Sequence, residues 1–144
     1  TSVMLCKLLF EKHWKKKVQF INTQDESYIE NIRGNVAGLV IGDRALKIRD
    51  KFKFKFDLGL AWKEMTGLPF VFAVWVRKKE ISGEFIPLFN EANGMGLSKI
   101  NLIIDYNNES IYPMDMYFRK NISYRLTEGM RESMSLYLSF LKNI

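Results

Sequence analysis

With 144 residues, 47% of them hydrophobic and 26% charged, the chain is long enough for one sizeable core and too apolar for intrinsic disorder. No apolar run approaches the length of a membrane span, the single Cys6 excludes an internal disulfide framework, and neither Cys6 nor the lone His13 has metal-ligand spacing around it. The net charge of +6, carried largely by Lys15-Lys16-Lys17 and by Lys51, Lys53 and Lys55, stands beside no nucleic-acid motif; it fits solvated faces and a field that favours a dianionic metabolite.

The pattern predicts a helix from position 1 to about 14, since Val3, Cys6, Phe10 and Trp14 recur at helical spacing behind the natural caps Thr1 and Ser2. The same segment lacks the basic leader and small-residue cleavage site of a signal peptide, and Lys7 interrupts it. A short strand is expected at 18–21, a helix at 25–32 ended by Gly34, a buried strand at 36–41, and a helix from Arg44 to Ile48. Residues 51–56 alternate Lys and Phe strictly, which predicts an edge strand with the three Phe inward and the three Lys outward. An aromatic-basic strip that stacks bases is the alternative for that segment.

Asp57 is the expected cap of a helix running to about 65 and stopped by Gly67, ahead of a strand at 69–78 that is β-branched and aromatic without alternation, as in a sheet covered on both faces. A helix is expected over 83–93, broken by Gly94 and Gly96, resuming over 97–106 and ending at Asn107-Asn108. Pro113 opens a short helix through Arg119, residues 122–126 form an extended link, and Thr127 with Glu128 begins a last helix with the stripe Met130, Met134, Tyr137, Leu138 and Leu141. The alternation of helices and strands predicts an α/β fold with a parallel or mixed sheet. The expected units are 1–78, an α/β lobe whose last strand leads to a crossover, and 79–144, a helical C-terminal segment.

Thr1 and Ser2 are the first site candidates, because a helix N-terminus offers N–H groups and positive potential to an anion, and adjacent hydroxyls add donors. Simple capping is the alternative. Gly42 and Asp43 follow a buried strand at the edge where α/β sheets bind ligands. Gly42 allows close backbone approach, and Asp43 is read first as the cap of the next helix, with a base or orienting group as the alternative. The Gly-x-Gly at 94–96 lacks the context of a nucleotide loop.

Residues Leu39-Val40-Ile41-Gly42-Asp43-Arg44-Ala45-Leu46, Asp57-Leu58-Gly59-x-x-Trp62 and Thr66-Gly67-Leu68-Pro69-Phe70-Val71-Phe72-Ala73-Val74-Trp75-Val76-Arg77 together closely resemble the chorismate dehydratases of menaquinone biosynthesis by the futalosine route. The resemblance implies the two-lobed fold of type II periplasmic binding proteins, with this chain supplying the second lobe plus the C-terminal helices of the first. The N-terminal half of the first lobe is then expected to be absent, and with it the catalytic residues, so that residues 1–144 alone are expected to be inactive. The implied enzyme is a cytoplasmic carbon–oxygen lyase that converts chorismate to 3-[(1-carboxyvinyl)oxy]benzoate with no metal or other cofactor. Thr1 and Ser2 would hold a substrate carboxylate, with Gly42 and Asp43 also substrate-binding. The implied partner is a small anionic metabolite, not nucleic acid or membrane, and a homo-oligomer is compatible. The alternatives are a 1,4-dihydroxy-6-naphthoate synthase of the same pathway, against which Gly42 speaks because that family carries a histidine near this place, and a non-enzymatic solute-binding protein of the same fold.

Overall fold

The computed structural model describes residues 1–106 and 112–142. Among the described residues seven α-helices follow one another: α1 (Ser2–Lys12), α2 (Asp43–Ile48), α3 (Leu58–Thr66), α4 (Phe85–Ser98), α5 (Ile100–Tyr106), α6 (Met114–Met116) and α7 (Glu128–Leu141). Turns of 3-10 helix stand at Glu26–Asn31 and Arg49–Lys51, and a π-helical turn at Tyr117–Asn121. Several ends follow directly from local chemistry. The Asp57 carboxylate accepts the Leu60 N–H at 2.9 Å and starts α3, while the Gly67 N–H donates to the Lys63 carbonyl at 2.7 Å and closes it. The Thr127 hydroxyl accepts the Met130 N–H at 3.4 Å at the start of α7.

Helix α4 departs from expectation. It runs unbroken through Gly94 and Gly96 to Ser98, and the expected end at 93 is corrected. An isolated glycine inside a helix costs about 1 kcal/mol and is tolerated when the flanking turns hold. Here the Asn93 amide donates to the Phe89 carbonyl and the Ser98 hydroxyl to the Met95 carbonyl, both at 2.7 Å. The expected stop at Asn107-Asn108 lies outside the described residues.

The four segments expected as strands, 18–21, 36–41, 51–56 and 69–78, carry no strand among the described residues. Residue preference alone does not make a strand: β-branched and aromatic side chains only fit a pleated surface, and the ladder requires a neighbouring strand. The expected inward set at 51–56 also changes, since Phe54 and Phe56 are each 74% exposed while Phe52 is half-buried. Phe56 makes an edge contact with Trp14, with ring centroids 6.0 Å apart.

The chain divides into two compact units, one formed by residues 1–72 with 127–144 and the other by 73–126. This differs from the expected boundary after residue 78, because α7 returns to the first unit. That unit's core joins Leu5, Leu8 and Leu9 of α1, Ala61 and Trp62 of α3, and Ser133 and Tyr137 of α7. The buried stripe of α1 is therefore Leu5, Leu8 and Leu9; Val3 of the expected stripe is exposed and Cys6 is partly exposed. Trp62 lies edge-on to Phe70, Tyr137 and Phe140, at centroid distances of 5.4, 5.8 and 6.2 Å. On α7, Tyr137 is buried and Leu141 packs against the core, whereas Leu138 is exposed.

The second unit has no fully buried residue among those described. Within it Phe89 stacks on Phe85 and meets the edge of Trp75, and Arg119 donates to Asp115 at 2.6 Å and to Asn101. Among the described residues no helix is long and apolar enough to cross a membrane.

Candidate functional site

A cleft of about 460 Å³ opens within the first unit, lined by Thr1, Ser2, Val3, Tyr28, Leu39, Ile41, Arg44 and Phe72. Three short pieces of chain build it. The first is the start of α1. Thr1 makes no side-chain cap bond, and the N–H groups of the first turn have no partner within the helix. The Thr1 carbonyl is braced instead, accepting the Leu5 N–H at 3.0 Å and the Tyr137 hydroxyl at 3.2 Å. The beginning of α1 is thereby tied to α7, with Thr1 and Ser2 lining the cleft.

The second piece is the 3-10 turn at Glu26–Asn31. Asp25 caps it, accepting the Ser27 N–H at 2.8 Å. The hydrogen bonds from Ser27 hold the Asp25 carboxyl below its ordinary range. Tyr28 then reaches across, its hydroxyl donating to the Leu39 carbonyl at 2.9 Å. A Cβ at Gly38 would stand 2.5 Å from Ile32 Cδ1 and 3.1 Å from Tyr28 Cε2, so a side chain there requires the tip of Ile32 to turn away and the Tyr28 ring to give by a few tenths of an ångström.

The third piece is the entry to α2. Gly42 precedes the helix at φ 65° and ψ −151°, a backbone state that disfavours side-chain-bearing residues. Its carbonyl accepts the Ala45 N–H at 2.9 Å, which starts the helix and places Arg44 in its first turn. Arg44 lines the cleft, and its Nη1 donates to Glu26 Oε1 at 2.7 Å. With the two side chains 52% and 61% exposed, that pair is worth about 0–1 kcal/mol.

Of the residues expected at the site, Thr1 and Ser2 line the cleft, while Gly42 and Asp43 do not; their neighbours Ile41 and Arg44 do. Asp43 is the first residue of α2 and not its cap, a place taken by Gly42. His13 and Cys6 stand outside the lining: His13 Nε2 lies 3.6 Å from Glu64 Oε2, and burial pushes the Cys6 thiol up. Among the described residues no group of three His, Cys, Asp or Glu could hold a metal ion.

Tyr28, Phe72 and Arg44 were not singled out by the sequence. Arg44 had a local signal, one position beyond Gly42-Asp43 in the same motif. Phe72 likewise falls in the quoted motif 66–77, whereas Tyr28 had no such signal and reaches the cleft only through the fold.

The cleft thus offers two kinds of anion donor, hydroxyl and N–H groups at the start of α1 and a guanidinium from α2, beside an apolar wall of Val3, Leu39, Ile41 and Phe72. This chemistry suits a ring with carboxylate substituents. The family model described as menaquinone biosynthesis matches residues 1–143. No solved structure matches the chain.

Proposed function

This chain belongs to the menaquinone biosynthesis family, and from that premise we propose that it acts within the family as a chorismate dehydratase. The fold proposed with it is the type II periplasmic-binding-protein-like α/β architecture, a reading supported by the wording of residues 39–46, 57–62 and 66–77. The observation that carries the functional proposal is the shared cleft of Thr1, Ser2 and Arg44.

Chorismate has two carboxylates. A site for it needs charge-assisted donors for both, and a planar apolar wall for the ring. Hydrogen bonds from the α1 start and from the Arg44 fork meet the first need, and Leu39, Ile41 and Phe72 meet the second. Dehydration breaks the bond from the ring carbon to its hydroxyl oxygen and removes a ring proton, and both leave as water while the ring becomes aromatic. Aromatisation supplies much of the driving force, so positioning and proton transfer are the tasks left to the protein. Within this reading the proton acceptor is either a substrate carboxylate or a group from the first lobe's N-terminal half.

The test is a product assay on the full-length enzyme that contains this chain, supplied separately with chorismate and with the naphthoate synthase's substrate. Formation of 3-[(1-carboxyvinyl)oxy]benzoate from chorismate is the expected result. Turnover of the second substrate alone would replace the proposal with the sister activity.

A further inference from the structure

We propose that Glu26 is an internal counter-ion for Arg44, a positioning and specificity residue that occupies the guanidinium until a stronger anion takes its place. The proposal rests on the dicarboxylate reading of the cleft. Glu26 does not line the cleft, yet its Oε1 accepts from Arg44 Nη1 at 2.7 Å. It opens the 3-10 turn that also presents Tyr28 to the cleft two residues later.

That turn is anchored at two points. The Asp25 carboxylate accepts the Ser27 N–H, and the Tyr28 hydroxyl donates to the Leu39 carbonyl. Glu26 is therefore delivered to Arg44 by an anchored piece of backbone. Both partners are about half exposed, so the pair is weak enough to exchange.

Two consequences follow. The guanidinium keeps donors beyond the one used by Glu26 available to a ligand. The Glu26 charge also cancels much of the attraction that Arg44 would exert on any passing anion. A small anion held by Arg44 alone gains little, whereas a dianion gripped also at the start of α1 binds well enough to displace or share the fork.

Replacing Glu26 by Gln keeps an acceptor for Nη1 and removes the competing charge. Loss of a structural contact would weaken binding; loss of a competitor strengthens it, so the sign of the change is diagnostic. The experiment is calorimetric titration of the purified protein at low ionic strength, with sulfate and with benzene-1,3-dicarboxylate as probes. The variants are Glu26→Gln, Arg44→Met and the double substitution, each checked by thermal melting.

The expected result is binding roughly twofold to fivefold tighter in Glu26→Gln, a gain that shrinks at high salt and disappears in the Arg44→Met background. Unchanged or weaker binding of both probes in Glu26→Gln overturns the proposal, as does a gain that survives without Arg44 or an absence of binding throughout. A gain for sulfate with no dicarboxylate binding in any variant supports the counter-ion role and removes the dicarboxylate reading, which separates the two failures.

Discussion

The indole N–H of Trp62 donates to the hydroxyl of Ser133 at 2.9 Å, joining two fully buried side chains 71 positions apart. This bond ties α3 to α7 and explains how a serine can stand in the middle of an apolar core. Ser133→Ala leaves the indole donor buried without a partner, and the expected cost is about 1–3 kcal/mol of unfolding free energy. Combining it with Trp62→Phe removes both halves of the bond, so the double variant loses less than the sum of the single ones. Urea denaturation of the four proteins measures this coupling.

Leu8 of α1 is fully buried, whereas Leu138 of α7 is half exposed although it sits in the apolar stripe read from the sequence. Leu8→Ala is expected to destabilise by about 2–5 kcal/mol through lost burial and a residual cavity. Leu138→Ala is expected to stay within about 0.5 kcal/mol. Equal losses in denaturant midpoint at the two positions would refute the packing of α7 described above.

Asp25 gives a pH dependence with a definite sign. Its folded-state carboxyl is held below the ordinary range by hydrogen bonds from Ser27. The stabilisation is therefore fully present above the unfolded carboxyl's range and lost as pH falls through the lower folded value. The expected outcome is a lower protection factor for the Ser27 amide proton in the acid range, after correction for the pH dependence of intrinsic exchange, with neutral pH unaffected. In Asp25→Asn that acid step disappears. An increase in protection on acidification would contradict the sign.

Cys6 lies partly buried on α1, and burial raises its thiol's pKa. The nucleophile is the thiolate, so alkylation of the folded protein by iodoacetamide near neutral pH is expected to be slower than in denaturant. Equal rates in the two conditions would place Cys6 in open solvent.

The legible parts of this fold were those governed by neighbours in sequence. Asp57 and Gly67 bracket α3 as their chemistry requires, and Thr127 begins α7. Thr1 and Ser2 were found because a helix start is itself a local anion-binding feature. Strand-like segments were read from residue preference, but pairing depends on a distant partner that composition does not name. The same limit hid Ser133, whose burial depends on Trp62, and Tyr28, whose place on the cleft depends on the Leu39 carbonyl. Gly94 and Gly96 misled because a local penalty of about 1 kcal/mol each is small beside the continuity of a helix of 14 residues.

The most direct test of the central claim, that this cleft takes a dianion through the start of α1 and Arg44 together, is calorimetric titration of benzene-1,3-dicarboxylate. It compares the purified protein with Thr1→Val/Ser2→Ala and with Arg44→Met. Each charge-assisted hydrogen bond lost is expected to cost about 1.5–3 kcal/mol, or roughly tenfold to a hundredfold in affinity, in both variants. Affinity unchanged in both, with the proteins still folded, would contradict the account.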